Sequence, residues 1–262
     1  MPVSLEQILD STRRQLPALH GRRAELEREA SATPALRSFE RALAGSEVAV
    51  VAEVKRRSPS AGPIREDLDP VSLAACYAAA GASAISVLTD GPFFGGSLDD
   101  LRLVTRSVSV PVLRKDFILD EVQILEARAA GASAILLIVR ALLPLRLRSL
   151  LASAATWGLD ALVEVHDRGE LAVALDCGAR LIGVNSRDLD TFRIDTARAW
   201  NIIRSVPREV LVVAESGMAS RVDVEAAAAA GADAVLMGTA LSAARDPAAL
   251  LATLTEVARH AR

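Results

Sequence analysis

Apolar residues along this 262-residue chain recur with two different rhythms. Short, continuous, branched-aliphatic runs occupy residues 48–54, 110–115, 159–165 and 210–214, and alanine-rich stretches that read as helix separate them. Four further segments share one pattern: Gly81-Ala82-Ser83-Ala84-Ile85, Gly131-Ala132-Ser133-Ala134-Ile135, Gly178-Ala179-Arg180-Leu181-Ile182 and Gly231-Ala232-Asp233-Ala234-Val235. Each glycine follows a helical stretch and opens an apolar run, as expected where a helix stops and a buried strand begins. The glycines stand 47 to 53 residues apart, too far for one strand–helix unit and right for two. Together these runs predict eight short strands, near residues 48, 84, 110, 134, 160, 181, 210 and 234, alternating with helices. Eight such units fit a closed (β/α)8 barrel. An open doubly wound sheet is the alternative, but no strand leads into the G-x-G-x-x-G loop that would favour it.

Residues 1–45 break the rhythm. Leu5, Ile8, Leu9, Thr12 and Leu16 share one helical face, and a second helix is expected over 34–43, ended by Gly45. The chain therefore reads as one domain over 1–262, a helical extension (1–45) on a (β/α)8 TIM barrel (46–262). The extension is either a cap or a lid over the active site.

Composition narrows the function classes. A chain that is 51% hydrophobic and 24% charged is globular, and its net charge of −3 argues against a general nucleic-acid binder, which needs a basic face. A small anionic ligand stays open, because local charge decides that. The longest strongly apolar run, 129–139, is about half of the roughly 20 residues a membrane span requires. Glu6 and Asp10 interrupt any N-terminal signal layout. Cys76 and Cys177 lie in helical stretches and read as small core residues, not as a disulfide framework. No Cys/His cluster has metal-ligand spacing, so no metal is expected. A soluble, cytoplasmic protein in a reducing compartment follows.

Barrel active sites sit at the C-terminal ends of the strands. Those ends carry Glu53-Val54-Lys55, Arg114-Lys115-Asp116, Glu164-Val165-His166, Asn185-Ser186-Arg187, Glu215-Ser216-Gly217 and Gly238-Thr239. The chain has 30 basic residues, of which only Lys55 and Lys115 are lysine. Both stand at predicted strand ends. Arginine cannot release a proton at useful pH, whereas a partly desolvated lysine can. A lysine acid beside a glutamate base suits proton transfer at carbonyls and adjacent carbons, so Lys55, Lys115, Glu53, Glu164 and Glu215 are the candidate chemical groups. Each glutamate could instead be a structural ion-pair partner. The last two strand ends offer glycine, serine and threonine, the makings of a phosphate cradle at Ser216, Gly217, Gly238 and Thr239. The loop 56–62, with Arg56, Arg57, Ser58 and Ser60, suits a mobile, anion-facing segment or a solvated turn. His166 faces the site, orients a neighbour or is solvated.

At these motifs the chain resembles a known family. Ala52-Glu53-Val54-Lys55-Arg56-Arg57-Ser58-Pro59-Ser60 is similar to the first-strand signature of the indole-3-glycerol-phosphate synthases. Phe93-Phe94-Gly95-Gly96-Ser97-Leu98, Leu113-Arg114-Lys115-Asp116-Phe117-Ile118, Glu164-Val165-His166, Gly183-Val184-Asn185 with Arg187-Asp188-Leu189, and Glu215-Ser216-Gly217 follow in family order. The resemblance covers nearly the whole chain and departs at Ser186, and at Thr239, where glutamate is frequent. It implies a cofactor-free carbon–carbon lyase of tryptophan biosynthesis. Such an enzyme closes the pyrrole ring of 1-(2-carboxyphenylamino)-1-deoxyribulose 5-phosphate and expels carbon dioxide and water. It further implies Lys115 as general acid, Glu164 as the second acid/base and Glu53–Lys55 as a coupled pair. Ser58, Asn185, Arg187, Glu215 and Ser216 would be substrate-binding positions, and Gly217, Gly238 and Thr239 the phosphate site. The partner is a small sugar phosphate, not a membrane. The chain is read as a monomer, with association to other enzymes of the pathway left open. Two other readings compete. An isomerase on a related barrel would use a cysteine/aspartate pair, and neither cysteine falls at a strand's C-terminal end. A non-catalytic, sugar-phosphate-sequestering barrel should have lost Lys115 or Glu164.

Overall fold

The structure, a computed structural model, describes residues 3–189 and 191–262. Eight parallel strands form a closed barrel: β1 (Ala49–Val54), β2 (Ala84–Leu88), β3 (Val112–Lys115), β4 (Ala134–Ile138), β5 (Asp160–Val165), β6 (Leu181–Asn185), β7 (Leu211–Glu215) and β8 (Ala234–Met237). Each strand pairs with its sequence neighbours, and β8 closes on β1 through Ala49↔Ala234 to Ala52↔Met237. The expected strands are all present, with bounds shifted by a residue or two. The glycines that punctuate the repeats, Gly81, Gly131, Gly178 and Gly231, have φ between 85° and 99°, a conformation that costs a side chain 1–2 kcal/mol or so.

Period-two alternation sorts the strand residues into two cores. Outward residues such as Val50, Ile85, Ile135, Val163, Ile182 and Val212 meet the helices in one large cluster. Inward residues, Ala49, Val51, Ala84, Leu113, Ala134, Leu136, Leu162, Leu181, Val213, Ala234 and Leu236, fill the barrel. The strands are continuously apolar in sequence because both faces are buried.

The N-terminal region corrects the expectation in two places. α1 (Leu5–Gly21) is capped by Ser4 and buries Leu5, Ile8, Leu9 and Thr12, the anticipated face. α2 (Arg23–Ala32) was not anticipated. It buries only Leu26 and Ala30, so its apolar stripe is too thin to register as periodicity. The helix expected over 34–43 is shorter: α3 spans Phe39–Leu43. Thr33 is extended at φ −68°, ψ 129°, as a residue before proline prefers, and Ser38 Oγ accepts the Arg41 amide at 3.2 Å to start the helix late. α3 then drives the fully buried Phe39 and Leu43 into the inner cluster and plugs the barrel floor. The Ser38 hydroxyl (3.1 Å) and Glu40 amide (2.9 Å) both donate to Asp160 Oδ2 at the start of β5. α2 packs on the barrel's side, against Val122 and Leu125. No described residue before Glu53 lines the cavity at the opposite end. Among the described residues, no helix is long and apolar enough to cross a membrane.

Candidate active site

The alternation that fills the barrel with aliphatic residues also delivers its charges. One step beyond the apolar layers, the inward positions become Glu53 on β1, Ser86 on β2, Lys115 on β3, Glu164 on β5, Gly183 and Asn185 on β6, Glu215 on β7 and Gly238 after β8. Of these, Glu53, Lys115, Glu164, Asn185, Glu215 and Gly238 line a cavity of about 530 Å³. Glu53, Lys55, Ser58, Lys115, Glu164, Asn185, Arg187, Glu215, Ser216, Gly217, Gly238 and Thr239 all line it, so the sequence candidates from six strand ends meet in one place.

Lys115 is the hub. Its ammonium lies 2.9 Å from Glu164 Oε2 and 3.1 Å from Glu215 Oε2. Burial pulls an ammonium toward neutrality, but Glu164, Glu215 and Glu53 outweigh it and hold Lys115 above the ordinary lysine range. Glu164 shows the converse: burial favours the neutral acid, yet Lys115 and His166 keep it well below the usual carboxylate range. Glu215 is the odd one out. Burial, with Glu164 adding like charge, pushes it up to about 7 against the pull of Lys115. One ammonium cannot satisfy both neighbouring carboxylates equally, so Glu215 is the more readily protonated of the two.

A second pair stands beside this hub. Glu53 Oε1 is 2.8 Å from the Lys55 ammonium, and its Oε2 accepts from Ser86 Oγ at 3.3 Å. Burial raises Glu53, but Lys55 and Lys115 more than compensate and leave it lowered. Two glycines make room for these groups. A Cβ on Gly183 would collide with Glu215 Oε1, and one on Gly238 with Glu53 Oε1 and the Lys55 ammonium. Asn185 ties the base to the rim: its Nδ2 donates to Glu164 Oε1 (3.1 Å), and its Oδ1 accepts the Arg187 amide (3.0 Å).

The rim carries the anion-binding features. Ser216 (φ 66°) and Gly217 (φ 75°) turn the chain sharply after β7, and the helix Thr239–Ala243 points its N-terminus at the cavity from Gly238. The half-buried Arg187 guanidinium has no carboxylate partner among the described residues; burial alone lowers its proton affinity. It faces the cavity and donates to the Phe192 carbonyl at 3.1 Å. The loop after β1 departs from the expected anion-facing segment. It folds into a small antiparallel ribbon, Arg57–Ser58 against Gly62–Pro63. Arg56 pairs with Asp100, and Arg57 donates to the carbonyls of Gly91 (3.1 Å) and Pro92 (2.8 Å). Both arginines staple the ribbon to the two helices that follow β2, and it is Ser58 and Ser60 that line the cavity.

The side missing from the sequence reading is apolar. Leu88, Phe94, Phe117, Leu136, Ile138 and Leu236 also line the cavity, with the Phe94 and Phe117 rings 6.1 Å apart. The signal was present: the last residues of β2 and β4 are Leu88 and Ile138, where the other strand ends carry a polar residue or glycine, and this marks them as a wall for an apolar or aromatic ligand part. His166 is also resolved. It is fully buried and therefore not solvated.

The chain is similar to known proteins over nearly its whole length. The family model described as indole-3-glycerol phosphate synthase matches residues 5–254. The chain is 49% identical over 262 residues to the indole-3-glycerol phosphate synthase of Koribacter versatilis, covering 97% of this chain and 99% of that protein. It is 49% identical over 241 residues to the one of Chlorobium phaeovibrioides, covering 90% and 93%. Among solved structures, a 3-hexulose-6-phosphate synthase superposes with a TM-score of 0.63 at 16% identity, covering 79% of this chain and 97% of that one. A tryptophan synthase from M. tuberculosis superposes at 0.61 and 17%, covering 82% and 95%. At these identities the two structures speak for the barrel fold alone.

Proposed function

Because the chain belongs to the indole-3-glycerol phosphate synthase family, we propose that the cavity carries the family's reaction on the residues gathered around Lys115. The reaction is a decarboxylating ring closure: 1-(2-carboxyphenylamino)-1-deoxyribulose 5-phosphate becomes indole-3-glycerol phosphate, carbon dioxide and water. The observation that carries the residue assignment is the Lys115 ammonium, buried at the centre of the charge cluster within 3.1 Å of two carboxylates.

In this reading, Lys115 gives its proton to the ribulose carbonyl oxygen as the ring carbon bearing the carboxylate attacks the carbonyl carbon. The new carbon–carbon bond forms, the carbonyl becomes a hydroxyl, and the carboxylate leaves as carbon dioxide while its bonding pair restores the ring. Glu164 then serves the dehydration as acid/base: it takes a proton from the neighbouring ring methylene and returns it to the departing hydroxyl, which leaves as water while the freed pair forms the ring double bond. Glu53 steadies Lys55, whose ammonium holds anionic substrate groups. Phe94, Phe117 and the β2 and β4 wall take the aromatic ring. Ser58, Asn185, Ser216 and Glu215 contact the substrate. Glu215 Oε1, buried and without a hydrogen-bond partner, is placed to meet a hydroxyl. Gly217, Gly238 and Thr239 offer backbone and hydroxyl donors to the phosphate. The free thiols of Cys76 and Cys177 fit a reducing cytoplasm.

The test is continuous fluorescence detection of the indole product from purified protein and this substrate, with no added metal or cofactor. Turnover supports the reading; a folded protein that binds the substrate without turning it over indicates a sequestering barrel. Arg187→Ala removes a cavity-facing cation with no carboxylate partner among the described residues, so KM rises on the order of 10- to 100-fold while kcat stays within about twofold. A loss confined to kcat contradicts the binding role.

A further inference from the structure

Behind Glu164, away from the cavity, lies a network that the reaction scheme above does not use. His166 follows β5, is fully buried, and sits between two carboxylates from different elements. Its Nδ1 is 3.1 Å from Glu170 Oε2, which also accepts the His166 backbone amide at 2.8 Å. Its Nε2 lies 3.4 Å from Glu164 Oε1, a charge contact without hydrogen-bond alignment. Glu170 is held from the other side by Arg140, whose Nε donates to Oε1 at 2.9 Å, and Arg140 Nη1 is 3.8 Å from Asp188 Oδ2. Asp188 neighbours Arg187 in the loop after β6.

The local sequence explains how this is built. Asp167 caps the helix Arg168–Asp176 by accepting the Glu170 amide at 2.8 Å. Glu170 stands where a capping-box glutamate would turn back to the cap residue's own amide. Here it reaches one residue further, to the amide and ring of His166. The helix start thus serves to aim an imidazole at the inner carboxylate.

Ionised carboxylates only accept hydrogen bonds, so an imidazole facing one on each nitrogen holds both protons. We propose that His166 is a positioning residue for this reaction: as a buried cation braced by Glu170 and Arg140, it fixes the Oε1 side of Glu164 and keeps that carboxylate ionised, leaving Oε2 for Lys115. The inference rests on the reading of Glu164 as the second acid/base. The charged groups around the ring are Glu164 from β5, Glu170 from the helix Arg168–Asp176, Arg140 behind Glu170, and Lys115 across Glu164. Burial opposes charge on the imidazole, yet the two carboxylates raise it to about 9, so the cation persists throughout the neutral range.

The sign of the effect follows. Glu164 must be ionised to act, so kcat falls as pH drops through its titration. Removing the His166 cation raises the proton affinity of Glu164 and moves that acid limb upward, by about one pH unit. His166→Gln keeps a donor but loses the charge; His166→Phe loses both. Both variants are expected to show the shifted acid limb. Lys115 still holds Glu164 below the usual carboxylate range in both variants, so the loss at pH 6.5 comes from the released Oε1 side and not from titration: the Phe variant's kcat falls about tenfold, the Gln variant, which keeps a donor, recovers part of that, and KM stays within about twofold for both. In 15N-histidine spectra of the unaltered protein at pH 7.5, the signal lost in His166→Gln is that of a doubly protonated ring. If His166→Phe does not fold, Glu170→Gln, which removes the brace and keeps the imidazole, is expected to move the limb in the same direction. A neutral His166, or a His166→Phe kcat within about twofold of the unaltered protein at pH 6.5, overturns the proposal. Glu164→Gln separates the two readings: if it retains turnover, the role of Glu164 is wrong, whereas if it is inactive and the His166 variants titrate normally, only the positioning role fails.

Discussion

Lys115→Met leaves a folded barrel whose indole-forming turnover is down by about 10³-fold, the range set by loss of a general acid. Methionine matches the lysine stem in length and removes only the ammonium. The consequences reach past one proton, because Lys115 is the shared partner of Glu164 and Glu215. Removing one member of a buried ion pair commonly costs about 3–5 kcal/mol, since the other charge is stranded. Two features soften that here. Glu215 titrates at about 7 and can neutralise by taking a proton, and Glu164 keeps Asn185 and His166. The variant should therefore fold best on the acid side of neutrality, and activity and thermal unfolding should be compared at pH 6.5. Turnover within tenfold of the unaltered protein removes Lys115 as the acid.

Gly96→Ala should lower the thermal midpoint by about 10 °C, the equivalent of roughly 3 kcal/mol of overpacking in a domain of this size. An added methyl would overlap the Leu88 carbonyl group and lie 3.0 Å from the Thr89 amide nitrogen. These are backbone atoms at the end of β2, so no side chain can swing aside. Nor is the backbone free to yield. Leu88 is in register with Lys115 on β3, and the Thr89 amide donates to the Lys115 carbonyl at 3.2 Å. Any relief displaces the strand end that carries the acid, so kcat falls along with stability. A midpoint within 2 °C or so of the unaltered protein would falsify this packing account.

The positions that proved legible in advance share a physical character. Strand number and order depend on continuous apolar runs and on glycine at helix ends, both of which are local in the chain. Lys55 and Lys115 stood out because they are the only lysines, and strand alternation then determined that Glu53, Lys115, Glu164 and Glu215 share the inner face. The resemblance to a family added roles to positions already singled out. α2 escaped notice because two buried residues make no periodic signal, and the α3 boundary because a proline and a serine cap outweighed an apparent helical run.

What remained belonged to distance and desolvation. Arg56 and Arg57 look like anion ligands in sequence, but their partners, Asp100 and the carbonyls of Gly91 and Pro92, arrive from the two helices that follow β2. Glu164 and Glu215 are the same residue type at equivalent strand ends, yet one is held well below the usual carboxylate range and the other is pushed up to about 7. That difference exists only because barrel closure places a single ammonium between them and His166 behind one of them. Period and turn chemistry, written in neighbouring residues, were enough to specify the barrel and the inward face. Proton affinities and pairings were decided by the folded barrel, because they are set by charges remote in sequence brought within a few ångströms in a site from which water is excluded.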